Sequence, residues 1–185
     1  MTLVAVTSSD RGQTLEAMDI EHTSFSNQGV IFPIYSLLKT TRHNKPVKIV
    51  KCHKFSNPAL DVCEYVSSYL TRTLKFRLKA VQKGGSKPRQ LFLSWHMGKP
   101  VKRATLSKYV VRTMELAGID VSSFKAHSTR GLFPSIMKRK GFSAQQILSQ
   151  GDWSNVNTFQ RFYGREPDDS PAGILISEML GKSRK

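Results

Sequence analysis

The chain has 185 residues, 29 Lys and Arg against 13 Asp and Glu, and a formal net charge of +16. That length suits one compact domain with a tail, and 39% apolar with 9% aromatic residues exclude wholesale disorder and argue against a simple Lys/Arg-rich neutraliser of phosphate. No apolar run reaches the ~18 residues of a membrane-spanning helix, MTLVAVTSSDRGQ lacks the regions of a secretory signal, and two cysteines, Cys52 and Cys63, cannot build a disulfide framework, so a reducing compartment is expected.

In chain order, Leu3 to Val6 reads as the end of a helix and Gly12 to Met18 as a second short helical piece. Turn signals at Ser26-Asn27-Gln28-Gly29 and His43-Asn44-Lys45-Pro46 separate antiparallel strands near 20–25, 30–39 and 46–51. Asp61 begins a helix to about Lys79, on which Val62, Tyr65, Val66, Tyr69 and Leu70 share a face. A basic loop at 83–88 follows, then a short buried segment, Leu91 to Leu93, and a turn at Gly98-Lys99-Pro100. Thr105 is expected to cap a helix carrying Leu106, Val110, Met114 and Ala117, closed by Gly118. Another helix runs from His127 to Gly141, and Ser143 caps a short one over 144–149. Two more are expected over about 155–163 and 174–180. The fold class is α+β, mostly α-helical, with a small antiparallel sheet.

The charge is unevenly spread. Acidic residues are absent from 22–60, 65–114 and 121–151, and those windows hold 23 of the 29 bases. A merely soluble surface mixes the signs. Long acid-free stretches suit a polyanion, and nucleic acid is the commonest one. His43, Cys52, His53 and Cys63 lack the spacing of a zinc site. Segment 124–166 is the most specific part of the chain. It holds His127-x-x-Arg130, Trp153 at 23 residues beyond Arg130, and Tyr163 ten further on. A His and an Arg three apart on a helix share a face and can reach one phosphate. The indole of Trp153 donates a hydrogen bond, and the phenol of Tyr163 can act as a nucleophile.

These residues resemble the catalytic half of the tyrosine recombinase (phage integrase) family, whose pattern is an early Arg, a hairpin Lys, H-x-x-R, a His or Trp, and a Tyr near the C-terminus. Arg11 in SSDRGQTL matches the first Arg, and Lys39 in LLKTTRHNKP the Lys, with Lys45 as the alternative acid. His127 and Arg130, Trp153 in GDWSNVN, and Tyr163 in FQRFYGRE complete the set, which extends from about Met1 to Tyr163. RGQTL, KTTRHNKP and HSTRG are most similar in wording to recombinases of eukaryotic mobile elements of the DIRS and Crypton kinds. Two departures stand out. Thr14 occupies the position three beyond the first Arg, where the family often has an acid, and the Trp-to-Tyr gap is one residue longer than in many members.

The resemblance implies a catalytic domain over 1–166 and a C-terminal helix or tail over 167–185, with the family's DNA-clamping N-terminal domain outside this chain. It implies cleavage of double-stranded DNA through a 3′-phosphotyrosine on Tyr163, with no metal and no cofactor. The remaining bases are expected on the duplex: Arg42, Lys45, Lys48, Lys87, Arg89, Lys99, Lys102 and Arg103. A homotetramer on DNA through the tail is expected, the alternative being a tail folded back on its own domain. Nuclear localisation is expected in a eukaryotic host, and cytoplasm or nucleoid otherwise. Taken singly, every member of the set is ordinary: a surface Arg, a solvated Lys, a structural His, a core Trp or Tyr. The joint order carries the reading. Its rivals are a type IB topoisomerase-like enzyme and a non-catalytic DNA-binding protein.

Overall fold

The computed structural model describes residues 1–38 and 46–150. Helices α1 (Thr2–Ser8) and α2 (Gly12–Glu16) come first, followed by strands β1 (Ser24–Ser26), β2 (Gly29–Ile34) and β3 (Lys48–His53). Helices α3 (Val62–Gln82), α4 (Arg103–Leu116), α5 (Thr129–Arg139) and α6 (Ala144–Gln150) complete the order. The helices expected over 155–163 and 174–180 lie outside the described residues.

The three strands form one antiparallel sheet in the order β1-β2-β3. Ser26 pairs with Gly29, so Asn27 and Gln28 make a two-residue hairpin turn. Alternate residues of β2 and β3 face inward, placing Val30, Phe32, Ile34, Val50 and Cys52 in the core. There they meet Val4, Ala5, Leu15 and Met18 from the N-terminal helices, Val62 and Val66 from α3, and Leu106, Val110 and Met114 from α4.

Asp61 starts α3 as the sequence suggests, its carboxylate accepting from the Cys63 N–H at 3.0 Å. The buried stripe of α3 departs from the apolar pattern. Tyr65 is half exposed, and the stripe continues from Val66 through two polar residues, Thr73 and Arg77, while Leu74, Leu78 and Val81 face outward. The reason is Arg77. Arg77 is 1% exposed, and its guanidinium donates to the carbonyls of Pro88, Gln90 and Leu91 at 2.5, 2.9 and 2.9 Å. Burial lowers the Arg77 pKa. Segment 88–91 would otherwise carry unpaired carbonyls into the interior. The same segment meets the chain after α2, with Ile20 N–H donating to Arg89 O and Leu91 N–H to Met18 O, each at 2.8 Å. The Tyr69 hydroxyl fixes the next residues, donating to Leu93 O and accepting from Leu93 N–H.

Helix α4 begins earlier than expected. Its first residue is Arg103 and its N-cap is Lys102, not Thr105. The cap comes from another element, because Glu16 at the end of α2 accepts from the Arg103 N–H at 3.1 Å. A lysine cannot cap with its own side chain, and the carboxylate does so from across the interface. Gly118 (φ 73) and Gly141 (φ 81) end α4 and α5 with paired bonds back into the last turn, Ile119 N–H to Met114 O and Phe142 N–H to Met137 O. The span expected as one helix from His127 is divided into a 3-10 turn over Ala126–Ser128 and then α5. Ser143 caps α6 reciprocally, accepting from Gln146 N–H at 3.3 Å while Gln146 Oε1 accepts from Ser143 N–H at 2.8 Å. Among the described residues, no helix is long and apolar enough to cross a membrane.

Candidate active site

The turn between α1 and α2 is the centre of the site. Ser9 ends α1 in the left-handed region (φ 54, ψ 23), fully buried, and the chain then passes through Asp10 to Arg11. Arg11 is the N-cap of α2 with extended backbone, its side chain exposed. Helix α1 packs against α5, which brings Arg130 to this turn. Arg130 is 7% exposed, and its Nε donates to Ser9 O at 3.0 Å. Two arginines separated by more than a hundred residues of chain are thus joined through two intervening residues of one turn. A guanidinium has five N–H donors in a fixed fork, and the carbonyl of Ser9 orients that fork.

His127 lies in the 3-10 turn that leads into α5 and is exposed, whereas Arg130 in the first turn of α5 is buried. The loop before it is held by Asp120. Its carboxylate accepts from the Ser122 hydroxyl at 2.6 Å, the Ser123 hydroxyl at 2.6 Å and the Ser122 N–H at 2.9 Å. These bonds, that of the Ser122 hydroxyl foremost, hold the Asp120 carboxyl down to about 2. An NMR titration should therefore place its midpoint well below the ~3.9 of a free aspartate. The folded value is the lower one, so the clamp stabilises the fold fully above about pH 4 and is lost as pH falls toward 2. A midpoint near 4 would show that the serines do not hold it.

Asp10 and Arg103 sit beside Arg11. The Asp10 carboxylate pairs with Lys48 Nζ at 2.5 Å, with side-chain exposures of 6% and 20%. A Cβ added to Gly12 would lie 2.9 Å from Arg103 Cγ, so the stem of Arg103 crosses directly over the start of α2. Thr14 is buried in α2 and its N–H donates to Arg11 O at 2.8 Å.

Lys39, Arg42, Lys45, Trp153 and Tyr163 lie outside the described residues. The described bases expected on DNA divide into two groups. Lys87 and Lys99 are exposed on loops. Others are partnered by acids: Lys48 with Asp10, Lys102 with Glu16 at 3.6 Å, and Arg89 with Asp19 at 2.8 Å and Glu21 at 2.6 Å. Asp19, Glu21 and His22 come together closely enough to suggest a cation site, but Arg89 already supplies the positive charge there. Cys52 is buried and accepts from Thr7 Oγ1, and burial pushes its thiol up to about 11. Ser9 and Asp10 were not picked out by the sequence reading. The available signal was an acid immediately before Arg11, in one of the few acid-bearing stretches of the chain.

A small antiparallel sheet set among helices thus carries the turn before Arg11 and, bonded to it, Arg130 of the His-x-x-Arg segment. The phage integrase family profile matches residues 4–168, and the chain belongs to that family. The structure is similar to XerA recombinase (TM-score 0.63, 15% identity, 98% of this chain and 57% of that one). It is also similar to XerH site-specific recombinase bound to its difH substrate in a pre-cleavage complex (TM-score 0.61, 17% identity, 89% and 41%). A third likeness is to the Tn1549 transposon integrase in complex with transposon right-end DNA (TM-score 0.57, 14% identity, 97% and 57%). The chain thus spans about half the length of these solved proteins, and the fold is that of a tyrosine recombinase catalytic domain. Comparison with curated proteins returns no match.

Proposed function

We propose that this chain catalyses DNA strand exchange by cleaving and rejoining one strand at a time through a 3′-phosphotyrosine on Tyr163. The observation that carries the reading is the Arg130 Nε bond to Ser9 O, two residues from Arg11, which gathers both arginines of the pattern at one place. The chemistry follows from the residues. Attack by the phenolate oxygen on phosphorus builds negative charge on the non-bridging oxygens, and two permanently charged guanidinium forks stabilise it. His127 takes the phenol proton or holds the phosphate. The 5′-oxygen leaves as its bond to phosphorus breaks, and Lys39 donates its proton. Trp153 donates its indole N–H to the phosphate. The phosphodiester is exchanged for a phosphotyrosine ester of similar energy, so a 5′-hydroxyl from a partner strand reverses the step without ATP.

The partner is double-stranded DNA, held by Lys87, Lys99 and other exposed bases of the acid-free spans. The DNA-bound states named for XerH and the Tn1549 integrase support this reading. The wording of RGQTL, KTTRHNKP and HSTRG supports a mobile-element recombinase of DIRS or Crypton kind, acting in the nucleus of its host. Docking of residues 174–180 on a neighbouring protomer would assemble a tetramer on DNA.

A covalent trap tests the function. The full-length protein is incubated with a pool of nicked duplexes carrying randomised centres, on which the cleaved fragment diffuses away. The expected product is a protein–DNA adduct that survives denaturant and maps to Tyr163 by mass spectrometry. No adduct, with DNA binding retained, would make the chain a non-catalytic DNA-binding protein, and an adduct on another residue would overturn the site.

A further inference from the structure

The Asp10–Lys48 pair has no role in the chemistry above, yet it lies against its centre. Lys48 is the first residue of β3 and pairs with Ile34, the last of β2, so it marks the base of the connection over 35–47. That connection carries Lys39. The ammonium of Lys48 reaches the Asp10 carboxylate at 2.5 Å. Asp10 is immediately before Arg11 and its side chain is 6% exposed. A carboxylate this buried is costly without a cation, so Lys48 is held by it. The same turn receives Arg130 from α5 at Ser9 O and lies under Arg103 from α4 at Gly12. Its left-handed Ser9 gives the turn one defined shape.

We propose that Asp10 is a positioning residue that works through Lys48, setting the base of the β2–β3 hairpin in register with the turn that presents Arg11 and receives Arg130. Lys48 is then part of this strut and not a phosphate contact. A general acid on a hairpin and a guanidinium on a helix cap act on opposite ends of one P–O bond cleavage. Small errors in their relative placement slow the step without weakening DNA binding. The catalytic consequence rests on the recombinase reading, while the strut itself does not.

The test compares full-length wild type with Asp10→Asn, Lys48→Met and Lys48→Arg. Single-turnover adduct formation at saturating DNA, DNA affinity against salt, and amide exchange at 10–12 and 48–50 are measured. Asp10→Asn and Lys48→Met should each slow adduct formation by about tenfold or more. DNA affinity should stay within about twofold, the mark of an effect confined to the chemical step. The double variant should be no slower than the slower single, because both remove one interaction. Lys48→Arg keeps the pair and should restore most of the rate. If Lys48→Met instead weakens affinity, lowers the salt slope by about 0.9 and leaves the saturating rate unchanged, Lys48 is a phosphate contact and the strut is refuted. Should Asp10→Asn fold poorly, Asp10→Glu keeps the charge, displaces the ammonium and should still slow cleavage at unchanged affinity. Were the wild type to form no adduct, the recombinase reading would fail alone. Exchange would then decide the strut: faster exchange at both segments in Asp10→Asn and Lys48→Met supports it, and unchanged exchange overturns it.

Discussion

Replacing Arg130 with lysine is expected to slow adduct formation by about 100- to 1,000-fold at saturating DNA, the usual cost of losing a preorganised oxyanion donor. Charge is conserved in this variant, so duplex affinity and its salt dependence should change little. The geometry is what changes. Arg130 Nε is anchored on Ser9 O at 3.0 Å in a site that is 7% exposed. An ammonium has no Nε and no planar fork, so it cannot hold that carbonyl and address a phosphate in the same orientation. The expected signature is a fall in the saturating rate without a matching rise in the DNA concentration needed for half-saturation. A rate close to wild type would remove Arg130 from the catalytic set and leave it a structural tie to α1.

The largest expected effect on stability comes from Arg77→Met. Methionine nearly fills the volume of the stem but releases the carbonyls of Pro88, Gln90 and Leu91 from the guanidinium. A hydrogen bond from a charged donor contributes about 1.5–3 kcal/mol and orphaned buried carbonyls add a desolvation cost, so a loss of about 3–5 kcal/mol is expected. Offsetting this, methionine removes the desolvation of a buried guanidinium whose Nε has no partner among the described residues. Urea unfolding should show a lower midpoint with an unchanged slope. The effect should also reach the site, because segment 88–91 is bonded to Met18 and Ile20 just beyond α2, whose first turn carries Arg11. A midpoint near that of wild type would mean that water replaces the guanidinium without cost and that Arg77 is not the lock of this segment.

The same contacts show which features local chemistry could announce. Asp61, Ser143, Gly118 and Gly141 act within a few residues of themselves, as caps and helix ends, and their positions were readable from spacing alone. The Asn27-Gln28 hairpin is local in the same sense. The start of α4 was misread because its cap, Glu16, comes from α2, and nothing near Thr105 in the chain signals it. On α3 the apolar spacing placed Val62, Val66, Tyr69 and Leu70 against the core but also Tyr65, which is half exposed, and it did not reach the buried Thr73 and Arg77 further along. Arg77 is buried because a neighbouring segment has three carbonyls for it to satisfy, which nothing near it in the chain signals.

The functional site divides along the same line. Residue types in a fixed order, from Arg11 and Lys39 through His127-x-x-Arg130 to Trp153 and Tyr163, were enough to name the family, which the profile match over residues 4–168 shows. The net charge of +16 pointed to a polyanion but assigned no role to any one base. Tertiary structure alone decided that Lys48 and Arg89 are paired with acids distant in sequence and that Arg130 is anchored on Ser9. These pairings form between residues tens to more than a hundred positions apart. For the buried Asp10 and Arg130 the cost of an unpaired polar or charged group enforces the pairing, and that cost is set by the fold rather than by any local stretch of sequence.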